Sequence, residues 1–125
     1  TVPRAQTLSE EFAGVGEIPV EACGYDTLAG QEFDVIVNAT SAGLDDSVPP
    51  VPIECLRPHG TCYDMLYSDV ATPFQRWAAV AGADLALDGL GMLVEQAAES
   101  FSLWRNVRPS TAPVIKSLRK PAERA

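Results

Sequence analysis

The chain has 125 residues and a formal net charge of −8, which leaves room for one domain with a real core and disfavours nucleic acid or an anionic membrane as a partner. No apolar run is long enough to span a bilayer, and no basic-then-apolar signal pattern opens the sequence. Any anionic ligand must therefore be held by a local cation or by backbone N–H groups.

The first element expected is a helix over 2–13, with Thr1 as cap, Pro3 in the first turn, and Ala5, Leu8 and Phe12 on one face. Gly14 and Gly16 end it. Residues 18–22, IPVEA, form a short strand candidate, and Pro19 argues for an edge position. FDVIVN, 33–38, is a stronger one, a β-branched apolar run of the kind buried in a parallel sheet. A proline-rich loop follows at 47–52, then one helical turn at IECL. GTCYDML, 60–66, is the next strand. TPFQRWAAVAG, 72–82, reads as a helix with Thr72 as cap, Pro73 at its first position and Gly82 as its stop. ADLALD, 83–88, is a short strand leading into a helix that runs to about Val107. A last amphipathic helix spans about 113–120 and frays into the charged tail.

Strand and helix alternate from end to end, the pattern of parallel strands with crossover helices. The fold class is α/β, and ligands in such sheets sit beyond the C-terminal strand ends. NATSAG follows the 33–38 strand, MLY ends the 60–66 strand and DGLGM ends the 83–88 strand.

The residues themselves leave several alternatives open. The three cysteines, Cys23, Cys55 and Cys62, fit no CxxC spacing and read as reduced thiols. His59 lies between Pro58 and Gly60 and reads as a solvated loop residue rather than a base. In the helix after Asp88, Leu90, Leu93, Val94, Ala97, Phe101 and Trp104 fall in one arc about 100° wide, the expected core face. Gly89, Met92 and Gln96 fall in a neighbouring stripe. The glycines can let backbone approach a flat ligand, and Gln96 can offer a donor and an acceptor. A solvated helix edge explains the same stripe equally well. Asn38, Thr40 and Ser41 suit a ligand at a strand end, or simply a capped turn. Tyr67 can present its hydroxyl to a ligand or cap the core. Arg4 at a helix N-terminus is unfavourable for the dipole unless an anion binds there, although an ordinary exposed arginine serves as well. Asp64, inside an apolar strand, needs partners from a helix N-terminus or loop N–H groups.

In combination these stretches are more specific. DVIVNATSAG, CYDMLYSDVATPF and ADLALDGLGMLVEQAAESFSLWRNVRPSTAPV, in that order, closely resemble shikimate dehydrogenase over nearly the whole chain, most densely from Asp88 to Phe101. The resemblance implies NADPH-dependent reduction of 3-dehydroshikimate to shikimate, in aromatic amino acid biosynthesis in the cytoplasm. It implies a partial Rossmann-like, doubly wound parallel sheet, strands 3 to 6 of the usual order, with C-terminal helices. Residues 1–107 would be part of the NADP-binding domain, and 108–125 the C-terminal helix and tail.

The resemblance also assigns roles. Thr1 and Arg4 match positions that grip the adenosine 2′-phosphate. Asn38, Ala39, Thr40 and Ser41 match the loop beside the cofactor. Met65 and Gly89 match nicotinamide contacts, with Met92 against the same site. Tyr67 and Gln96 match shikimate contacts. No catalytic residue is assigned within these 125 residues. The Gly-rich pyrophosphate turn and the substrate domain with its lysine and aspartate lie outside the sequence, and no lysine precedes Lys116. The expectation is a C-terminal portion, inactive and unstable alone, that needs the N-terminal half of the same enzyme. Family members include monomers and dimers, which leaves a homodimer open. The alternatives are an NAD-using quinate/shikimate dehydrogenase, against which Thr1 and Arg4 argue, and a non-catalytic cofactor-binding or interaction module.

Overall fold

The computed structural model describes residues 1–119. Three parallel strands, β1 (Phe33–Asn38), β2 (Leu56–Asp64) and β3 (Leu85–Leu87), form one sheet in the order β1-β2-β3. Four α-helices accompany them among the described residues: α1 (Val2–Glu11), α2 (Pro73–Val80), α3 (Leu90–Arg105) and α4 (Ala112–Leu118).

Helix α2 covers one face of the sheet. Its start is a capping box: Thr72 Oγ1 accepts the Gln75 N–H at 3.1 Å, and Gln75 Oε1 accepts the Thr72 N–H at 3.0 Å. Gln75 also donates from Nε2 to Ala86 O of β3 at 3.2 Å, so the cap anchors the helix to the sheet. Gly82 takes φ +81° and stops the helix, which few side chains would permit. Between helix and sheet lies a core of Leu56, Cys62, Phe74 and Ala78, flanked by Ile36, Val48, Trp77 and Ala86. Phe74 and Trp77 stack with centroids 5.1 Å apart. Burial pushes the Cys55 thiol up, with the Glu54 charge adding to it, and burial pushes Cys62 up as well.

The opposite face of the sheet is open. Val35 and Val37 remain 58% and 55% exposed, and Leu85 and Leu87 are also exposed. A doubly wound sheet normally carries helices on both faces.

Three expectations are corrected. Residues 18–22 form no strand. Pro19 lacks an N–H, and a strand exists only through a ladder, which no neighbour supplies here. Instead the Val20 carbonyl accepts the Ser9 hydroxyl of α1. The sheet thus has three strands, β1 to β3, rather than four. Second, the core stripe of α3 is Leu90, Val94 and Ala98, not the wider arc. Phe101 is 44% and Trp104 79% exposed, since the segment 109–114 only partly covers the C-terminal half of that side, leaving a hollow between Phe101, Pro109 and Val114. The apolar side of α1 is likewise uncovered, with Leu8 and Phe12 exposed. Third, His59 belongs to β2, where the register with β1 shifts, and takes φ +65°. Its ring is exposed, with Nδ1 2.8 Å from Asp84 Oδ2.

The last helix begins at Ala112, and Thr111 gives it no side-chain cap. The fraying tail expected at 120–125 lies outside the described residues. No helix among those described is long and apolar enough to cross a membrane.

Candidate functional site at the C-terminal strand ends

The three strands run in one direction, so their C-terminal ends deliver Asn38, Asp64 and Leu87 to one edge. The chain leaves that edge in three segments, 39–41, 65–68 and 88–89, and hydrogen bonds tie 65–68 to the end of β1 and to Gly89. The Met65 N–H donates to Asn38 O at 3.0 Å, continuing the β1–β2 ladder past the strand. The Gly89 N–H donates to Leu66 O at 2.9 Å. This brings Gly89 so close to the second segment that a Cβ built on it would lie 2.1 Å from Met65 O. Gly89 has an ordinary helical φ of −77°. Glycine is therefore required here for space against backbone rather than for conformation.

Asp64 stands at the centre of this edge, with none of its surface exposed. Its Oδ2 accepts the Thr72 hydroxyl at 2.6 Å. Its Oδ1 accepts Asn38 Nδ2 at 3.1 Å and the Leu66 N–H at 3.2 Å. Asn38, also buried, passes the connection on: its Oδ1 accepts the Thr40 N–H at 3.1 Å and the Thr40 hydroxyl at 2.8 Å. The loop at 39–41 is thereby shaped by an Asx-type turn while Ala39, Thr40 and Ser41 stay exposed.

A second buried carboxylate opens α3. Asp88 is 6% exposed and accepts the Leu90 N–H at 3.3 Å. Its charge is met by Arg119, which follows α4 and donates from two guanidinium nitrogens at 2.8 and 3.4 Å. The pair ties the end of α4 to the start of α3.

Of the expected site residues, Asn38, Thr40, Met65 and Gly89 come together through the bonds just described. Ala39 and Ser41 belong to the same loop. Met65 is 43% exposed beside Gly89, and Met92 lies half-buried one turn into α3. Tyr67 lines a cavity of about 380 Å³ with Leu90, Leu93, Leu118 and Arg119. Gln96 lines a shallow groove with Leu93, Ala97, Ser100 and Trp104. Leu93 borders both spaces, so Tyr67 and Gln96 face adjoining hollows rather than one. Thr1 and Arg4 stand at the exposed start of α1, and none of the bonds at the strand ends involves them. Thr1 makes no side-chain cap bond.

Asp88 and Arg119 carried no functional expectation, and no sequence spacing could have paired residues 31 apart across a helix and a loop. Asp64 did carry a signal, a charge within an apolar strand, and its partners are a helix cap, a loop N–H and a neighbouring strand end.

Comparison with known proteins shows what this chain is similar to. The family model described as the shikimate 5′-dehydrogenase C-terminal domain matches residues 89–119. A shikimate dehydrogenase (NADP(+)) of Alkalilimnicola ehrlichii is 58% identical over 119 residues, covering 95% of this chain and 43% of that protein. The crystal structure of an Ael1 enzyme from Pseudomonas putida superposes with a TM-score of 0.82 at 42% identity, over 97% of this chain and 44% of the other. Shikimate 5-dehydrogenase from Thermus thermophilus, in complex with NADP(H) and shikimate, gives a TM-score of 0.75 at 31% identity, over 94% of this chain and 42% of that one. The chain thus spans well under half the length of the relatives it matches.

Proposed function

We propose, on the premise that this chain corresponds to the C-terminal portion of a shikimate dehydrogenase, that it supplies the nicotinamide side of the cleft and part of the substrate wall of an NADP-dependent enzyme interconverting 3-dehydroshikimate and shikimate. The observation that carries the reading is the bonded edge made by Asn38, Met65 and Gly89 at the C-terminal strand ends, where α/β sheets take their ligands.

The residues present fit a nicotinamide. Met65 offers an exposed apolar side chain beside the Gly89 turn. A Cβ on Gly91 would meet nothing within 4 Å, which leaves the first turn of α3 open to a flat ring. Bound there, the cofactor supplies or accepts the hydride. The chain's own groups orient what surrounds it. Ser41 presents its hydroxyl on the exposed loop that the Asn38–Thr40 bonds shape. Tyr67 and Gln96 present hydroxyl and amide groups to a polyhydroxylated ring, and Leu93 between them excludes water. Arg4, at the start of α1, supplies a cation for a 2′-phosphate in a chain of net charge −8. That choice favours NADP over NAD and over a quinate/shikimate enzyme that uses NAD.

The proton on the substrate oxygen is handled outside these residues, since they include no lysine before Lys116. In this reading residues 1–107 are cofactor-domain and 108–125 the closing helix and tail. The open face of the sheet and the outer edge of β1 receive the remaining length seen in the relatives. Three free cysteines fit a cytoplasmic setting.

The test is initial-rate kinetics on the polypeptide that carries this chain. Shikimate oxidation should be fast with NADP⁺ and at least about tenfold slower, in kcat/KM, with NAD⁺. Equal rates with the two would remove the role given to Arg4. Absence of shikimate oxidation with either would remove the reading.

A further inference from the structure

We infer that Asp64 is a positioning residue whose buried carboxylate sets the geometry of the nicotinamide wall by holding three separate segments at once. The inference rests on the proposed function for its consequence in catalysis, and on the structure alone for the clamp itself.

A carboxylate with no exposed surface is costly unless donors surround it. Asp64 meets this with three neutral donors from three places: the Thr72 hydroxyl at the start of α2, the Asn38 amide at the end of β1, and the Leu66 N–H just past β2. All three must be accepted, and a carboxylate has two acceptor oxygens and no competing hydrogen. An asparagine amide has one acceptor oxygen, and an NH₂ turned to Thr72 would have to reverse that bond, leaving the hydroxyl hydrogen without its acceptor. The donor set thus suits a carboxylate better than an amide.

Each donor leads to a part of the candidate site. Asn38, oriented by Asp64, holds Thr40 through its other amide atom. Leu66 carries the carbonyl that accepts the Gly89 N–H. Met65, between Asp64 and Leu66 in the chain, is bonded to Asn38 O and abuts Gly89. Thr72 is at once a partner of Asp64 and the cap of α2, so the loop geometry is referred to the helix that packs the core. Loosening Asp64 frees the 38–41 loop, the 65–67 segment and the Gly89 turn together, whereas Asp64 itself has no surface open to a ligand.

The experiment compares wild type with Asp64→Asn in the polypeptide that carries this chain. Amide hydrogen exchange should accelerate at Thr40 and Leu66. The kcat for shikimate oxidation should fall on the order of tenfold to a hundredfold at a temperature where the variant is fully folded, with the KM for shikimate changed less, since a small misplacement acts on the reacting geometry. A purely stabilising role would lower Tm and leave kcat of the folded protein intact. Unchanged exchange at both amides together with unchanged kcat overturns the inference. If Asp64→Asn does not fold, Thr72→Val and Thr72→Ser decide. The serine keeps the donor and should keep kcat, the valine should lose it, and equal kcat in both overturns the inference. Failure of the wild type to oxidise shikimate strikes the proposed function instead, and the exchange comparison still decides whether the clamp exists.

Discussion

Replacing Gly89 by alanine tests the arrangement at the strand ends without reference to any ligand. The new Cβ would lie 2.1 Å from Met65 O and 2.7 Å from Met65 C, both backbone atoms. Ordinary contact begins at 3.4 Å, so the turn must open by more than 1 Å. It cannot do so freely, because Met65 is bonded to Asn38 O and the Gly89 N–H to Leu66 O. Forced repacking of this kind costs about 1–3 kcal/mol, and loss of the Gly89 bond adds about 1 kcal/mol. The expected destabilisation is therefore about 2–4 kcal/mol. Gly91 is the internal control. It lies in the first turn of α3, where an added Cβ would meet nothing within 4 Å, and alanine there should stabilise by about 0.5–1 kcal/mol. Urea denaturation followed by circular dichroism reads both, provided the transitions are two-state with equal slopes. A Gly89→Ala protein as stable as Gly91→Ala would refute the contact with Met65.

Arg119→Ala should destabilise by about 1–2 kcal/mol, less than a fully buried pair would, because the arginine is half-exposed while Asp88 is buried. The companion double variant with Asp88→Asn should recover part of that loss, and strict additivity in denaturation would show that the two do not interact. Under native conditions an aromatic disulfide reagent should modify Cys23 rapidly and Cys55 and Cys62 only on unfolding, since Cys23 alone is exposed. The buried thiols also set a pH dependence. Their folded pKa values lie above the ordinary 9.0, so above that pH the unfolded chain releases protons that the folded chain retains. The contribution of these thiols is then constant below about 9 and falls as pH rises beyond it. Replacing Cys62 by alanine should flatten that alkaline slope, and an unchanged slope would assign it to other groups.

Local chemistry made part of this fold legible. The β-branched run at 33–38 became β1, and Thr72, Pro73 and Gly82 marked both ends of α2, because caps and left-handed stops act within a few residues. What depends on neighbours was not legible. Residues 18–22 have strand-like composition but no ladder partner. The arc from Leu90 to Trp104 is apolar by period, but its burial fades along the helix, from Leu90 and Val94 in the core to Phe101 and Trp104 in the open. The site divides the same way. Asn38, Met65 and Gly89 stood out as residues after strands, and the structure joins them. That Gly89 is dictated by the Met65 carbonyl as much as by any ligand could not be read from spacing, nor could the reach of Arg119 back to Asp88. Nor could spacing tell that Tyr67 and Gln96 face adjoining hollows that meet at Leu93.

The most direct measurement is ligand-dependent amide hydrogen exchange on the polypeptide that carries this chain, with NADPH and with shikimate added separately. NADPH should protect 38–41, Met65 and the turn from Gly89 to Met92, and shikimate the segments containing Tyr67 and Gln96. Protection by NADPH confined to other parts of the protein, with 38–41 and Gly89 unchanged, would contradict it.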